Sequence, residues 1–316
     1  MDSSLPLWDN KPPALSRISV PEEFRGLLRV GPCSWKFDSW KGLVYRSNLS
    51  GGPADYLRAY AHIFDTVEID SWFWSLFPPG IKLPAPNEPR EFAEAVPDDF
   101  LFSVKVTNSI TLTHFYAKQP PVYAAFANRP NPHFLDVDLM TDFLGRLAPM
   151  RSRLGPLILQ FEYLNRNKMP SLDAFIEKLD AFFDALPAGF SFAVEIRNPN
   201  YLVKGFFDFL RRRGLGVVLI EGYYMPPIAQ VAAEHDIATG GPCVIRLQGP
   251  DRSQIEKLAD GRWDRVLLPQ DESLAAVIAI LRQNMFRKMR TFVHANNHFE
   301  GCAPLTLDRL VKRLSP

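Results

Sequence analysis

A single (β/α)8 TIM-type barrel preceded by an N-terminal extension is the fold this sequence predicts, on three observations. Eight apolar, β-branched runs begin near residues 28, 66, 101, 157, 191, 216, 243 and 290. They alternate with helical patterns whose apolar residues recur every three or four positions. No GxGxxG or GxxxxGK[ST] loop follows any run, which argues against an open doubly wound sheet. Finally, seven of the runs close on polar or charged residues, and in six of the seven two such residues stand two apart. Side chains two apart on a strand share a face, and polar groups on the inner face of an enclosed sheet need partners or a ligand. Parallel β/α units in this number fit a closed barrel, which often runs to about 250 residues.

Residues 1–27 hold Pro6, Pro12, Pro13 and Pro21 and show no sustained periodicity. They read as an extension packed outside a barrel domain of residues 28–316, or partly mobile. The first strand runs from Leu28 into the loop Gly31-Pro32-Cys33-Ser34-Trp35, and a helix is expected over 53–64. The next strands carry the pairs Glu68/Asp70, Ser103/Lys105, Gln160/Glu162 and Glu195/Arg197, then Glu221 alone, then Arg246/Gln248 and His294/Asn296. Further helices are expected over 140–154, 172–186, 206–213, 273–288 and 305–314. Two long connections, 106–140 and 249–272, would follow strand C-terminal ends, where barrel enzymes build their sites. They read as lids or as plain surface excursions.

Composition narrows the function classes. Hydrophobic residues make up 47% of the chain, enough for a sizeable core. With 36 Lys+Arg against 35 Asp+Glu, no global charge argues for nucleic acid or a membrane surface. Three cysteines without a CxxC pair suit a reducing compartment. No apolar h-region opens the chain and no stretch is long enough to span a bilayer, so a cytoplasmic protein is expected.

In a barrel the strand ends converge, bringing Ser34, Glu68, Lys105, Gln160, Glu195, Arg197, Arg246 and Asn296 together, with Asp70, Glu221 and Gln248 near them. A guanidinium fork suits a carboxylate or phosphate, so Arg197 and Arg246 either grip an anionic ligand or pair with Glu195 and Glu68. Those two carboxylates suit general acid and base roles if burial raises one and a cation keeps the other ionised; the alternative is a salt bridge. Lys105 is a Schiff-base amine if desolvated, or a structural ion-pair partner. Glu68, Glu195, Glu221 and His294 are the residue types of a hard-cation site. With only six histidines and no HExxH, however, neither a metal nor another cofactor is expected. Among the aromatics, Trp35 and Trp40 are the ligand candidates and Phe73 a core residue; His114 and His298 lie in loops that could reach the site.

The order of these motifs resembles a known family. Gly31-Pro32-Cys33-Ser34-Trp35 with Trp40-Lys41-Gly42 and Tyr45 resembles the opening of the YecE-like family, the domain of unknown function 72. The likeness continues through Glu68-Ile69-Asp70-Ser71, Phe102-Ser103-Val104-Lys105, Thr113-His114, Gln160-Phe161, Glu195-Ile196-Arg197-Asn198, Arg246-Leu247-Gln248-Gly249 and Asn296-Asn297-His298. It covers about residues 28–314. The resemblance implies a TIM-type barrel and no assigned reaction, and its motif residues coincide with the constellation above, adding His114 and Asn297. The chain departs from the pattern at Gln248, where the family often has His, and at Cys33-Ser34, where Ser-Gly is usual. Asp70 and Trp72 likewise stand where Asn and Thr are usual.

The expected function is therefore that of an enzyme acting on a small polar, anionic ligand. Glu68, Glu195 and Lys105 are its catalytic candidates. Ser34, Trp35, Trp40, His114, Gln160, Arg197, Arg246, Gln248, Asn296 and Asn297 are its ligand-binding candidates. Two other classes compete: a metal-dependent phosphodiesterase acting on nucleic acid, by fold analogy, which the few histidines and neutral charge disfavour, and a non-catalytic binding module.

Overall fold

All eight expected strands form, and their parallel pairing follows from the helical connections between them. The computed structural model describes residues 12–78 and 80–315. The strands are β1 (Leu28–Pro32), β2 (Thr66–Ile69), β3 (Leu101–Lys105), β4 (Leu154–Gln160), β5 (Phe192–Glu195), β6 (Gly216–Gly222), β7 (Cys243–Gly249) and β8 (Thr291–Ala295). Each pairs with the next in parallel from β2 to β8, and β8 pairs with β1. The last seam, β1 against β2, closes through a parallel bridge between Cys33 and Glu68, with the Ser34 N–H donating to the Glu68 carbonyl at 2.9 Å.

Eight helices alternate with the strands: α1 (Pro53–Tyr60), α2 (Glu88–Glu94), α3 (Val137–Arg146), α4 (Leu172–Ala185), α5 (Lys204–Arg213), α6 (Ile228–Glu234), α7 (Asp271–Phe286) and α8 (Ala303–Leu314). Asp136 and Ser171 cap α3 and α4, accepting from the N–H groups of Leu139 and Ala174. The helix expected over 140–154 ends early, because Pro149 cannot continue it; a 3-10 turn over Ala148–Arg153 leads into β4. Helices α2 and α6 have seven residues each, too few for a periodic pattern to show in the sequence. The connection over 249–272 is not a plain loop, since it contains a helix at Arg252–Ala259 capped by Asp251. Residues 1–11 of the expected extension lie outside the described residues. From Ala14 to Ile18 the chain packs on the barrel, its N–H groups bonding the carbonyls of Gly42, Leu43 and Ile63.

The strand interior is layered, as expected of a packed barrel. At the bottom Ile158, Ala193, Val218, Val244 and Phe292 form a small buried cluster. One layer up, His294 registers with Arg246 and Arg246 with Ile220, while Gln160 registers with Glu195 and Glu68 with Ser103. A third layer of strand-end residues, among them Asp70, Lys105, Arg197, Gln248 and Asn296, opens to a cavity. The larger apolar cluster fills the space between strands and helices.

The β1–β2 seam is where the barrel tolerates least. A Cβ at Gly31 would lie 2.0 Å from the Thr66 carbonyl oxygen, and 2.9 Å from the Tyr60 hydroxyl. Because the nearest atom is backbone on a paired strand, the neighbour cannot swing away. Gly31→Ala is expected to cost about 3 kcal/mol, the upper end for overpacking, read as a lower urea midpoint at unchanged m-value. An unchanged midpoint would show that the seam can open.

Candidate functional site

The middle layer is built around Arg246 of β7. Its Nε and Nη2 donate to the two carboxylate oxygens of Glu68 at 2.8 and 2.7 Å. Nη1 donates to Glu195 Oε2 at 2.7 Å and to Gln160 Oε1 at 3.0 Å. Arg246, Glu68 and Glu195 are all buried. Arg197 approaches the other Glu195 oxygen at 2.6 Å, a close charge contact that lacks hydrogen-bond alignment. Burial alone would raise both carboxyls, but the guanidinium groups more than reverse it. Arg246 chiefly holds Glu68 at about 2, and Arg197 with Arg246 holds Glu195 below the usual range.

This corrects two expectations. Arg246 spends four of its five N–H donors on Glu68, Glu195 and Gln160 and presents no free fork to a ligand. And neither Glu68 nor Glu195 is the carboxyl with a raised pKa: that group is Asp70, pushed up by burial and by the charge of Glu68.

His294 is part of the same layer and fully buried. Its Nδ1 lies 3.1 Å from the Gly31 carbonyl, which can only accept, so Nδ1 carries the proton and Nε2 accepts from Ser103 Oγ at 2.7 Å. Burial holds this imidazole down at about 4. Glu221 is spent elsewhere, accepting from the Ile228 N–H at the start of α6 and from Ser273 Oγ. The donor set Glu68, Glu195, Glu221 and His294 is therefore not assembled. Among the described residues no group of three or more His, Cys, Asp or Glu comes together to hold a metal ion.

Above this layer lies a cavity of about 1130 Å³ at the C-terminal mouth of the barrel. Lys105, Gln160, Arg197, Arg246, Gln248, Asn296 and Asn297 line it, as expected of site residues; Asp70 and Cys33 also do. Lys105 has no hydrogen bond or ion pair among the described residues. Its ammonium sits 3.8 Å from the centroid of the Phe73 ring, and the residue is 8% exposed. Burial and the Arg246 charge lower its pKa, against the pull of Glu68, Glu195 and Asp70. Tyr223 is held at φ 56, a left-handed conformation uncommon outside glycine. There its hydroxyl donates to Gln248 Oε1 at 3.1 Å and its ring lies 5.0 Å from the Arg197 guanidinium.

Four expected ligand residues do not reach the cavity lining. Trp35 donates its indole N–H to the Pro53 carbonyl at 2.8 Å and packs edge-on against Phe92. Trp40 is fully buried beside Phe37 and Tyr45. The 3-10 turn at Asp38–Trp40 folds the loop inward, turning both indoles into the core. Ser34 takes a left-handed φ of 68 and gives its N–H to the barrel seam. His114 bonds the neighbouring Thr113 hydroxyl at 3.0 Å. The aromatics that do line the mouth include Phe73, Trp74, Tyr116, Tyr163, Tyr223, Tyr224 and Trp263. Trp74, Tyr163 and Tyr224 are 57%, 58% and 95% exposed. A sequence signal for several of them exists: Trp74, Tyr163 and Tyr223 each follow within four residues of a strand-end polar residue, at Asp70, Gln160 and Glu221.

Comparison with known proteins agrees with this architecture. A family model described as "Protein of unknown function DUF72" matches residues 29–316. The UPF0759 protein YecE of Escherichia coli K12 is 27% identical over 190 residues, covering 60% of this chain and 55% of that protein. The matched region thus spans about half the length of that curated relative. A DUF72 family protein from Thermotoga maritima superposes with a TM-score of 0.63 at 22% identity, covering 92% of this chain and all of that one. One from Enterococcus faecalis does so with a TM-score of 0.60 at 18% identity, covering 92% and 96%. Among the described residues no helix is long and apolar enough to cross a membrane.

Two outcomes follow from the ionic layer. Arg246→Ala leaves two buried carboxylates without their main partner and is expected to cost about 3–5 kcal/mol. Glu68→Gln in that background should restore part of the loss in a double-mutant cycle, and strict additivity would break the pairing. Stability should also fall with acid in two stages. Both groups have folded pKa values below their unfolded ones, so each contributes stability above its unfolded pKa and loses it as pH falls. For His294 that window runs from 6.5 down to about 4, and for Glu68 from 4.5 down to about 2. In urea melts against pH, His294→Asn should flatten the upper stage alone.

Proposed function

The chain belongs to the DUF72 family of proteins of unknown function, and we propose that this member binds a small anionic ligand at the barrel mouth and applies acid/base chemistry to it. The observation that carries this reading is that the buried carboxylates are already committed. Glu68 and Glu195 are held ionised and engaged by Arg246. Asp70, the remaining carboxyl of the cluster, has its pKa raised and no ion pair among the described residues. Lys105 and the open edge of Arg197 are left at the floor of an open cavity without an ion-pairing carboxylate among the described residues, which favours an anion.

Within that reading Arg197 is the anion's partner in place of Arg246, because only one edge of its guanidinium is occupied. Asp70 is the acid/base group, since a carboxyl raised toward neutrality can both give and take a proton. Gln160, Gln248 and Asn296 orient the ligand by hydrogen bonding. Exposed rings at Trp74, Tyr163 and Tyr224 offer flat apolar faces to its carbon skeleton.

Thermal-shift titration with inorganic phosphate and with pyruvate tests the anion site. A ligand at a hundredfold its Kd stabilises by about 2.7 kcal/mol, which should raise Tm by several degrees in the wild type. Arg197→Ala should abolish most of the shift, while Arg25→Ala at a remote exposed position should not. Equal shifts in wild type and Arg197→Ala at every concentration would sink the reading.

A further inference from the structure

We infer that Lys105 is a Schiff-base amine, condensing through Nζ with the carbonyl carbon of a small aldehyde or ketone that also carries a carboxylate or phosphate. The inference rests on the anion-site reading above and deepens it by naming the substrate class. Its basis is geometric. Lys105 is the only buried lysine among the described residues, and buried lysines are almost always ion-paired. This one is not, because the nearby carboxylates are committed: Glu68 grips Arg246 with both oxygens, and Glu195 faces Arg246 with one and Arg197 with the other. What remains around Nζ is the Phe73 ring and the open cavity.

A charged Lys105 has only the Phe73 ring face as a close partner, whereas its deprotonated amine presents a lone pair to the cavity. The groups that act on Lys105 are Arg246 on β7, Glu68 and Asp70 at β2, and Glu195 on β5. Burial and Arg246 favour the neutral amine and the three carboxylates oppose them, with the pKa lowered on balance. Asp70 lines the same cavity, and no ion pair joins it to Lys105.

The step balances with no further reagent. The Nζ lone pair forms the C–N bond as the carbonyl π bond breaks, and the proton released from nitrogen passes through the Asp70 carboxyl to the oxygen, giving a carbinolamine. A second proton transfer from nitrogen to the hydroxyl expels water and leaves the C=N bond. Arg197 holds the anionic group while this happens.

Reductive trapping of the full chain tests the assignment. Wild type is incubated with pyruvate, with dihydroxyacetone phosphate or with uncharged glycolaldehyde, each with cyanoborohydride, and adducts are mapped by peptide mass spectrometry. The expected result is one adduct at Lys105, heavier by the probe less one oxygen atom, formed with at least one of the two anionic probes. Which of them reacts separates the carboxylate from the phosphate source. It should form faster at neutral pH than at exposed lysines, since a lowered pKa raises the neutral fraction of the amine. Arg197→Ala should slow it, and Asp70→Asn should change its pH profile while Lys105 remains present. Lys105→Arg and Lys105→Met should lose the adduct, with circular-dichroism melts confirming their folding. Labelling no faster at Lys105 than at surface lysines overturns the amine role. If a probe still gives an Arg197-dependent thermal shift, the anion site survives that failure. Trapping by glycolaldehyde as fast as by the anionic probes, and unaffected by Arg197→Ala, overturns the anionic substrate class instead.

Discussion

The guanidinium of Arg246 uses four of its five N–H donors on Glu68, Glu195 and Gln160, and so ties β7 to β2, β4 and β5 across the barrel interior. That interaction makes a polar middle layer admissible in a sheet whose bottom layer is wholly apolar. Without it two carboxylates would lose their main partner in a dry interior. A buried ion cluster of this kind adds little stability over a well-packed apolar layer. It does specify which strands face one another and in what register, since a fork that must meet two carboxylates accepts few strand staggers. His294 completes the layer as a neutral group, its two nitrogens consumed by Gly31 and Ser103.

The same saturation determines what is left for a ligand. Because both carboxylates are turned toward arginine, the charge of Lys105 and the open edge of Arg197 have no protein counterpart at the mouth. The layers thus divide the labour: the middle one satisfies itself, and the upper one keeps its polar groups open to the cavity. Asp70 belongs to the upper layer, and its pKa is raised first by burial and then by the charge of its ionised neighbour Glu68. The proposed acid/base role of Asp70 and the structural role of Glu68 are two consequences of one arrangement.

The strand ends were legible in the sequence because a period of two is simple, and a polar pair closing an apolar run marks the point where a strand leaves the core. Arg246, Glu68 and Glu195 were placed together on that basis. Which carboxylate served which cation was not legible, since that depends on the stagger of strands far apart in sequence. The expectation that Arg246 meets a ligand failed for that reason. Trp35 and Trp40 misled because indoles in a loop after a strand look available, and only the inward 3-10 turn sends them to the core. Phe73 reads correctly as buried, yet one face of its ring carries Lys105. The mouth aromatics are not legible as a group because they lie in loops far apart in sequence, and only closure of the barrel gathers them.

Gln248 sharpens the argument about where proton transfer can occur. It stands where the resembling family often has histidine, and here its amide is fixed between the Tyr223 hydroxyl and the Cys33 thiol, at 3.1 and 3.9 Å. An amide cannot titrate, and burial beside Glu68 drives the Cys33 thiol well above its usual range, so that thiol stays protonated. The one histidine among the described residues that line the cavity, His298, faces Asn296 Oδ1 and Glu256 Oε1 with its two ring nitrogens, and burial lowers its pKa, away from neutrality. Tyr223, strained into its left-handed conformation, is likewise shifted upward by burial. Of the titratable groups at the mouth, this leaves Asp70 and Lys105 with pKa values displaced toward neutrality from opposite sides, a carboxyl raised and an amine lowered. General acid–base catalysis is most efficient for groups whose pKa lies near the operating pH. Under the proposed reading, with glutamine at position 248, proton transfer falls to that pair.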